Sequence, residues 1–598
     1  MSSVNIFDPA KTRAKADVLE VHEIEPIAVR RTETGGWFMD FGRAAFGTLR
    51  LTVTSDRSAT TTVRLGEKLA DDGRIDRHPP GTVRYREILL ELESGTRTML
   101  VVIPPDERNT GPGAVRMPDS LFEVMPFRYA EVEINAAVAT LDRLCQLAVL
   151  HPFDDEAAAF TCDDDRLNRV WELCKYSIKA TSFCGIYVDG DRERIPYEAD
   201  AYINQLCHYG VDAEYEMARR TFEHLLSHPT WPTEWVLHFV PMAWADYQYT
   251  GRKDLLKTCY PQLQRKALLA LAREDGLIST ETGRVTPELL RELRMDALKN
   301  PLRELVDWPP GSFTDGGTGE RDNYDMVPVK TVVNAFHAWN LDLLGQIADL
   351  LGKAEDAAAY RERHARVAAS LRQVCFDERR GVFVDGEGSA HASLHANMIP
   401  AALGLVPRGR EESVLAFITS RGMACSVYGA QYLLESCYRL GDPGHALKLM
   451  TAEHDRGWLN MLRVGSTVTL EAWDHKYKNN LDWNHAWGAA PANILPRFVA
   501  GVSPASPGFA EILIAPQPAG LKRMDAKVPT PRGPVTVQIE SVRNGERLLR
   551  LQTPAPARLQ LDGLLPPGTN RNAERMAFHP LPAGRHEFTI DNRKGRIK

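Results

Sequence analysis

Hydrophobic residues in this chain change their spacing twice, near residue 155 and again near residue 503. Before the first change the runs are short, alternating or β-branched, as in "GTLRLTVTS", "TTVRLGE" and "FRYAEVEIN", with Gly, Asp and Pro between them. Such runs are strands, and their even spacing predicts a β-sandwich over residues 1–154. After it, apolar residues recur at Leu167, Val170, Trp171, Cys174 and Ile178, one face of a helix that Asp163–Asp165 would cap. About a dozen such helices follow up to residue 503, most of them ending at a glycine turn. No fixed repeat period connects them, which argues against a solenoid and for a closed ring of paired helices. From 504 to 598 strands return ("AEILIAPQP", "GPVTVQIESV"), predicting a second β-sandwich.

Composition narrows the partners. With 43% hydrophobic and 25% charged residues the chain is ordinarily globular, and a formal charge of −7 opposes nucleic acid or an anionic membrane. No apolar run approaches the roughly 18 residues of a membrane span, and "MSSVNIFDPAKTRAKADVLEVH" has no apolar leader. The expectation is a cytoplasmic protein, or a periplasmic one if a leader has been removed. Nine cysteines without a CxxC pair argue against structural zinc and against a disulfide framework.

Three stretches carry chemistry. In "VDGDRERIPYEAD" the carboxylates Asp189, Asp191, Glu193, Glu198 and Asp200 crowd one turn beside Arg192 and Arg194. Alone, such a cluster reads as a solvated, salt-bridged turn. Placed between an apolar run and an apolar helix, it can instead keep one carboxylate charged beside another that stays protonated. Acetal hydrolysis needs that division of roles, and a second carboxylate across the site. The aromatic-rich segment Trp458–Trp487 supplies one at Glu471, near Trp473 and His485. Flat aromatic faces suit the C–H side of a sugar ring, although Trp458 and Trp483 read equally well as core. The third stretch, "LVDWPPGSFTDGG", sets Asp307 and Trp308 in a long polar loop.

At these residues the sequence resembles the α-L-rhamnosidases of glycoside hydrolase family 78, over nearly its whole length. "DFGRAAFGTLRLTV", "WVLHFVPMAWADYQYTGRKDLLKTCYPQL" and "VAGVSPASPGFAEILIAPQP" resemble successive parts of that family, in the same order. The resemblance implies a central (α/α)6 barrel, residues 155–503, flanked by the two β-sandwiches. It implies an inverting, exo-acting hydrolase of terminal α-L-rhamnosyl residues, with no metal or organic cofactor and an oligosaccharide or glycoside as partner. By the same resemblance Glu193 is the general acid and Glu471 the general base. Asp189, Arg192, Tyr197, Asp200, Trp235, Trp308, Trp473 and His485 would bind the sugar.

This sequence departs from the family pattern in a shorter spacer after Asp189, in Tyr197 for the usual Trp, in Ala199 for Gly, and in the added charge of Glu198. The shortened spacer leaves Asp191 and Glu193 as rivals for the acid, and the sugar itself open. Another terminal sugar, a lyase reaction and a non-catalytic carbohydrate-binding barrel are the competing readings. The expected arrangement sets Val188–Asp200, Asp307–Trp308 and Glu471–His485 at one mouth of the barrel.

Overall fold

A computed structural model describes residues 18–310, 320–542, 546–564 and 578–591, and the backbone of 596–597. The chain forms two compact units. One contains the described residues up to Phe153 together with Leu173–Pro196 and Trp458–Ala489; the other contains Asp154–Glu172, Tyr197–Gly457 and the chain from Ala490 onward.

The first unit is built on eight antiparallel strands: β1 (Glu20–Ile24), β2 (Ala28–Arg31), β3 (Trp37–Ser55), β4 (Ala59–Gly66), β5 (Tyr85–Leu92), β6 (Gly95–Leu100), β7 (Met125–Glu133) and β8 (Ala139–Leu150). They run in the order β1-β8-β3-β7-β4-β5, with β2 and β6 also paired to β3. Leu49, Leu51 and Val53 of β3 recur at the strand period and pack with Val63, Leu65, Phe127 and Val132 into one core. A register break between Asp40 and Ala45 lets the 19-residue β3 bend. Gly47 cannot be replaced there, since a Cβ would sit 2.1 Å from the Leu147 carbonyl oxygen.

Helices dominate the second unit. Every residue of Glu198–Val211 and of Leu394–Ala402 is buried, whereas Ala354–Cys375 buries only Ala357, Tyr360, Val367, Leu371 and Cys375. A helix buried all round lies among other elements, and one with a single buried stripe faces water. Buried and striped helices pack together, Gly429–Leu440 against Glu411–Arg421 among them. Gly251 and Gly441 end their helices in the left-handed region, as the glycine turns predict. Among the described residues no helix is long and apolar enough to cross a membrane.

The C-terminal strands form two sheets. A four-stranded one joins Val502–Pro504, Ile512–Ile514, Ala557–Leu559 and His579–Leu581. The other has six strands, and its last is Ala159–Cys162 (β9), paired antiparallel with Arg523–Val528. Strand β9 falls inside the stretch expected to be helical from residue 155. The chain is thus organised as an N-terminal sheet domain, a central helical domain and a C-terminal sheet domain.

Candidate active site

The acidic turn is closed by its own first residue. Asp189 N donates to the Ile195 carbonyl at 3.0 Å, and Ile195 N donates to Asp189 Oδ1 at 2.9 Å. Gly190 turns the chain at φ +94°, where a Cβ would meet Asn484 O at 2.7 Å. The segment carrying Glu471 is folded into a narrow loop, with His485 N on the Thr469 carbonyl (2.9 Å) and Glu471 N on the Asp482 carbonyl (3.3 Å). Asp191 N donates to Asn484 Oδ1 at 2.7 Å and fastens the turn to that loop. Residues almost 300 positions apart in sequence thereby share one cluster.

Arg192 is its centre. Nη1 donates to Glu193 Oε1 and Nη2 to Glu471 Oε1, both at 2.8 Å, and Asp189 Oδ2 lies 3.9 Å away. Glu471 Oε2 has Lys478 Nζ at 3.1 Å. The Glu193 side chain is 32% exposed and that of Glu471 only 2%. Burial opposes the charge of Arg192, but Glu471, Asp482, Asp189 and Glu193 together hold its pKa above the ordinary value.

The neighbouring acids behave differently. Burial first, and then the charge of Glu193, push Asp189 well above the usual carboxylate range. Asp482, which sequence reasoning did not single out, is pushed up by burial and by Glu471. Asp189 Oδ2 and both oxygens of Asp482 are buried without a hydrogen-bond donor among the described residues. Glu67, from the β4 end, accepts from Arg84 N at 2.8 Å and Asn484 Nδ2 at 3.1 Å, and burial raises it to about 7. His485 stacks on Trp487 with centroids 4.7 Å apart. Burial takes its pKa down to about 3, so its imidazole is neutral.

Asp191 is caged. Its Oδ1 receives Arg194 Nη2 at 2.8 Å and Asn109 Nδ2 at 3.2 Å, and its Oδ2 faces Arg84 Nε at 2.6 Å. The charge of Glu198 is likewise structural: the carboxylate is buried and accepts from Thr230 N at 2.9 Å and from the Thr230 hydroxyl. Trp473 is buried and packs edge-on against Trp458 at 5.0 Å.

Among the described residues Glu471, Asp482 and His485 bring possible metal-ligand atoms within 4.8 Å of one another. Both Glu471 oxygens, however, already face cations, Arg192 and Lys478, which repel a metal ion there.

Tyr197, Asp200, Trp235 and Trp308 belong to the second unit. Tyr197 precedes the helix Glu198–Val211, whose first turn holds Asp200. Trp235 is buried, with Tyr428 4.9 Å from it. Trp308 is half-buried and meets Trp231 edge-on at 6.5 Å. Its neighbour Asp307 is fully buried and accepts from His395 Nε2 (2.6 Å), Ser426 N (2.9 Å), the Ser426 hydroxyl and Trp308 N (2.8 Å). The rest of that stretch, 311–317, lies outside the described residues.

Known proteins match this chain along its length. The family model for the bacterial α-L-rhamnosidase six-hairpin glycosidase domain matches residues 155–499. The concanavalin-like and C-terminal domain models of bacterial α-L-rhamnosidases match 30–150 and 501–575. An α-L-rhamnosidase of Streptomyces avermitilis is 23% identical over 325 residues, covering 53% of this chain and 28% of its own. One from Alteromonas sp. is 23% identical, covering 51% and 32%. This chain therefore spans about a third of the length of those curated relatives. The fold is shared with the α-L-rhamnosidase of Aspergillus terreus (TM-score 0.73, 17% identity, 96% of this chain and 64% of that one). It is shared too with the Streptomyces avermitilis enzyme complexed with L-rhamnose (TM-score 0.72, 18% identity, 96% and 54%). With more than half its residues matched by the glycosidase-domain model, the chain belongs to the bacterial α-L-rhamnosidase six-hairpin glycosidase family.

Proposed function

We propose that this chain is an exo-acting, inverting glycoside hydrolase that removes terminal α-L-rhamnosyl residues from oligosaccharides or glycosides. The observation that carries the reading is the single guanidinium of Arg192 joining Glu193, one-third exposed, to the buried Glu471. An inverting pair needs an acid that reaches the leaving oxygen and a base on the other side of the sugar, with room for water between them. Glu193 gives its proton to the glycosidic oxygen as the C–O bond breaks. Glu471, paired with Arg192 and Lys478, takes a proton from the water whose oxygen bonds to the anomeric carbon. Burial drives Asp189, whose Oδ2 lies 3.9 Å from Arg192, toward its protonated form. The Arg194–Asp191–Arg84 cage supports Glu193 over Asp191 as the acid, since Asp191 is buried between two guanidinium groups that favour its charged form, whereas the Glu193 side chain is one-third exposed.

The same reading takes the central domain, 155–503, as an (α/α)6 barrel and the flanking regions, 1–154 and 504–598, as β-sandwiches. The alternation of wholly buried and striped helices supports the barrel. Asp189, Arg192, Tyr197, Asp200, Trp235, Trp308, Trp473 and His485 are the proposed sugar-binding groups. A screen with aryl glycosides of rhamnose, fucose, arabinose, glucose and glucuronic acid tests the substrate, and only the rhamnoside should turn over readily. Proton NMR in the first minutes should show β-L-rhamnose before the α-anomer. Prior appearance of the α-anomer would refute inversion and with it Glu471 as a base.

A further inference from the structure

The turn that carries Glu193 is clamped from outside its own stretch of chain. Asp191 precedes the Arg192–Glu193 pair and Arg194 follows it, and both are tied to the N-terminal sheet domain. Arg84, the residue before β5, sets Nε 2.6 Å from Asp191 Oδ2 and gives Nη1 to Asp106 Oδ2. Asn109 Nδ2 donates to the carbonyl and to Oδ1 of Asp191, both at 3.2 Å. On the other side Arg194 donates Nη1 to Glu123 Oε1 and Nη2 to the Val124 carbonyl, both at 2.7 Å. Val115 N donates to the Arg194 carbonyl at 2.9 Å. All of these residues belong to the first unit.

The clamp opposes a strained backbone. Arg194 has φ +54°, a left-handed conformation that only glycine adopts without cost. Such a conformation persists where the surroundings over-determine it. Here the surroundings are the buried contacts of Arg194 with Asp191, Glu123 and Val124. The two residues between the clamped ones are left to the reacting centre, with Arg192 bonded to Glu471 and Glu193 one-third exposed. The clamp comes from residues 84–124, inside the region that the concanavalin-like domain model matches, whereas the turn falls inside the glycosidase-domain match.

We infer that Arg84 and Asn109 are positioning residues for the general acid: they hold Asp191, and through it the backbone of Glu193, so the N-terminal sheet domain completes the reacting centre. This rests on the proposed reading of Glu193 as the acid. Proton transfer to a leaving oxygen needs the acid within hydrogen-bond reach, and a displacement of about 1 Å can cost about 10²-fold in rate. A side chain whose own place is fixed by a second layer of contacts meets that requirement. The clamp also leaves a variant able to fold. Without Arg84, Asp191 keeps Arg194 and Asn109, and Asp106 keeps Arg108 at 2.9 Å.

The test compares R84Q with the unaltered full chain on two substrates. Methyl α-L-rhamnoside has a leaving group that needs a proton, and p-nitrophenyl α-L-rhamnoside has one that departs without it. On the methyl glycoside kcat should fall about 10–100-fold, on the aryl glycoside less than about threefold, with KM little changed on either. In a chain that already carries E193Q, R84Q should have almost no further effect, because no acid is left to position. Equal losses on the two substrates, or a loss that multiplies with that of E193Q, would make Arg84 a purely structural residue and overturn the inference. Should R84Q not fold, N109A removes one neutral donor from Asp191 and carries the test alone, with the same pattern expected at smaller size and no change on either substrate overturning it. Hydrogen exchange of the peptide Val188–Pro196 reads the clamp without a substrate. Exchange should quicken in the variant, and unchanged exchange overturns the clamp. An unaltered chain that hydrolyses neither rhamnoside overturns the proposed activity, and exchange alone then decides the clamp.

Discussion

The Arg192 cluster and the Asp307 cluster are both buried, charged and built from residues distant in sequence, yet they are satisfied in opposite ways. Around Asp307 one carboxylate receives four donors, from His395, Ser426 and Trp308. Around Arg192 one cation is divided among Glu193, Glu471 and Asp189, and Asp189 Oδ2 and both oxygens of Asp482 accept no hydrogen bond among the described residues. A saturated network holds a shape; an unsaturated one stores interactions that a ligand or a transition state can complete. Asp307 accordingly reads as the anchor of the Trp308 loop, and the Arg192 group as the reacting centre.

The sharpest way to break this comparison is at Glu471. Glu471→Gln should lower kcat by 10²–10⁴-fold on every rhamnoside, because each turnover needs the activated water. Glu193→Gln should lose a similar factor on substrates with poor leaving groups and much less on activated aryl rhamnosides, which depart without a proton. Steady-state kinetics on both substrate types separates the two roles. If Asp191→Asn, in a chain that still folds, reproduced the leaving-group dependence of Glu193→Gln, the caged residue would be the acid after all.

Asp307→Ala should damage stability before chemistry. Four donors lose their acceptor, at about 1–3 kcal/mol each and less than additively, so a loss on the order of 4 kcal/mol is expected in urea unfolding. In the folded fraction KM should rise through the displaced Trp308, with kcat on an activated rhamnoside little changed. A large fall in kcat at unchanged KM would instead make Asp307 part of the reacting centre and erase the contrast.

How much of this was legible beforehand follows from what each feature depends on. The helix-ending glycines 251 and 441 depend only on their own turns and were readable. Glu193 and Glu471 emerged from residue types in a motif. The choice between Asp191 and Glu193 did not, because Asn109 and Arg84, which cage Asp191, lie 82 and 107 positions away (191 − 109 and 191 − 84). Asp482 carries no local mark; only burial beside Glu471 makes it unusual. Strand β9 was missed because its partner, Arg523–Val528, lies more than 350 residues downstream.

The smallest effect concerns Glu67, which ties the β4 end to Asn484 and so to the acidic turn. Its pKa rises from an ordinary 4.5 to about 7 through burial. Between those values the folded chain binds more protons than the unfolded one, so stability falls as pH rises through the window. At 1.36 kcal/mol per unit the shift corresponds to about 3 kcal/mol. His485, lowered to about 3, acts in the other direction: from about pH 3 to 6.5 the unfolded chain binds more protons, and stability rises with pH. The two oppose each other below pH 6.5, and above it only the fall remains, with Asp189 and Asp482 adding to it in the same sense. Glu67→Gln copies the neutral carboxyl at every pH but sets an amide against Asn484 Nδ2, a fixed cost of about 1 kcal/mol. Urea midpoints should therefore favour the unaltered protein near pH 5, and the advantage should shrink or reverse by pH 8. A difference between the two proteins that stays constant from pH 5 to 8 would mean that Glu67 keeps one protonation state throughout, and that the β4 end does not sense the charge of the reacting centre.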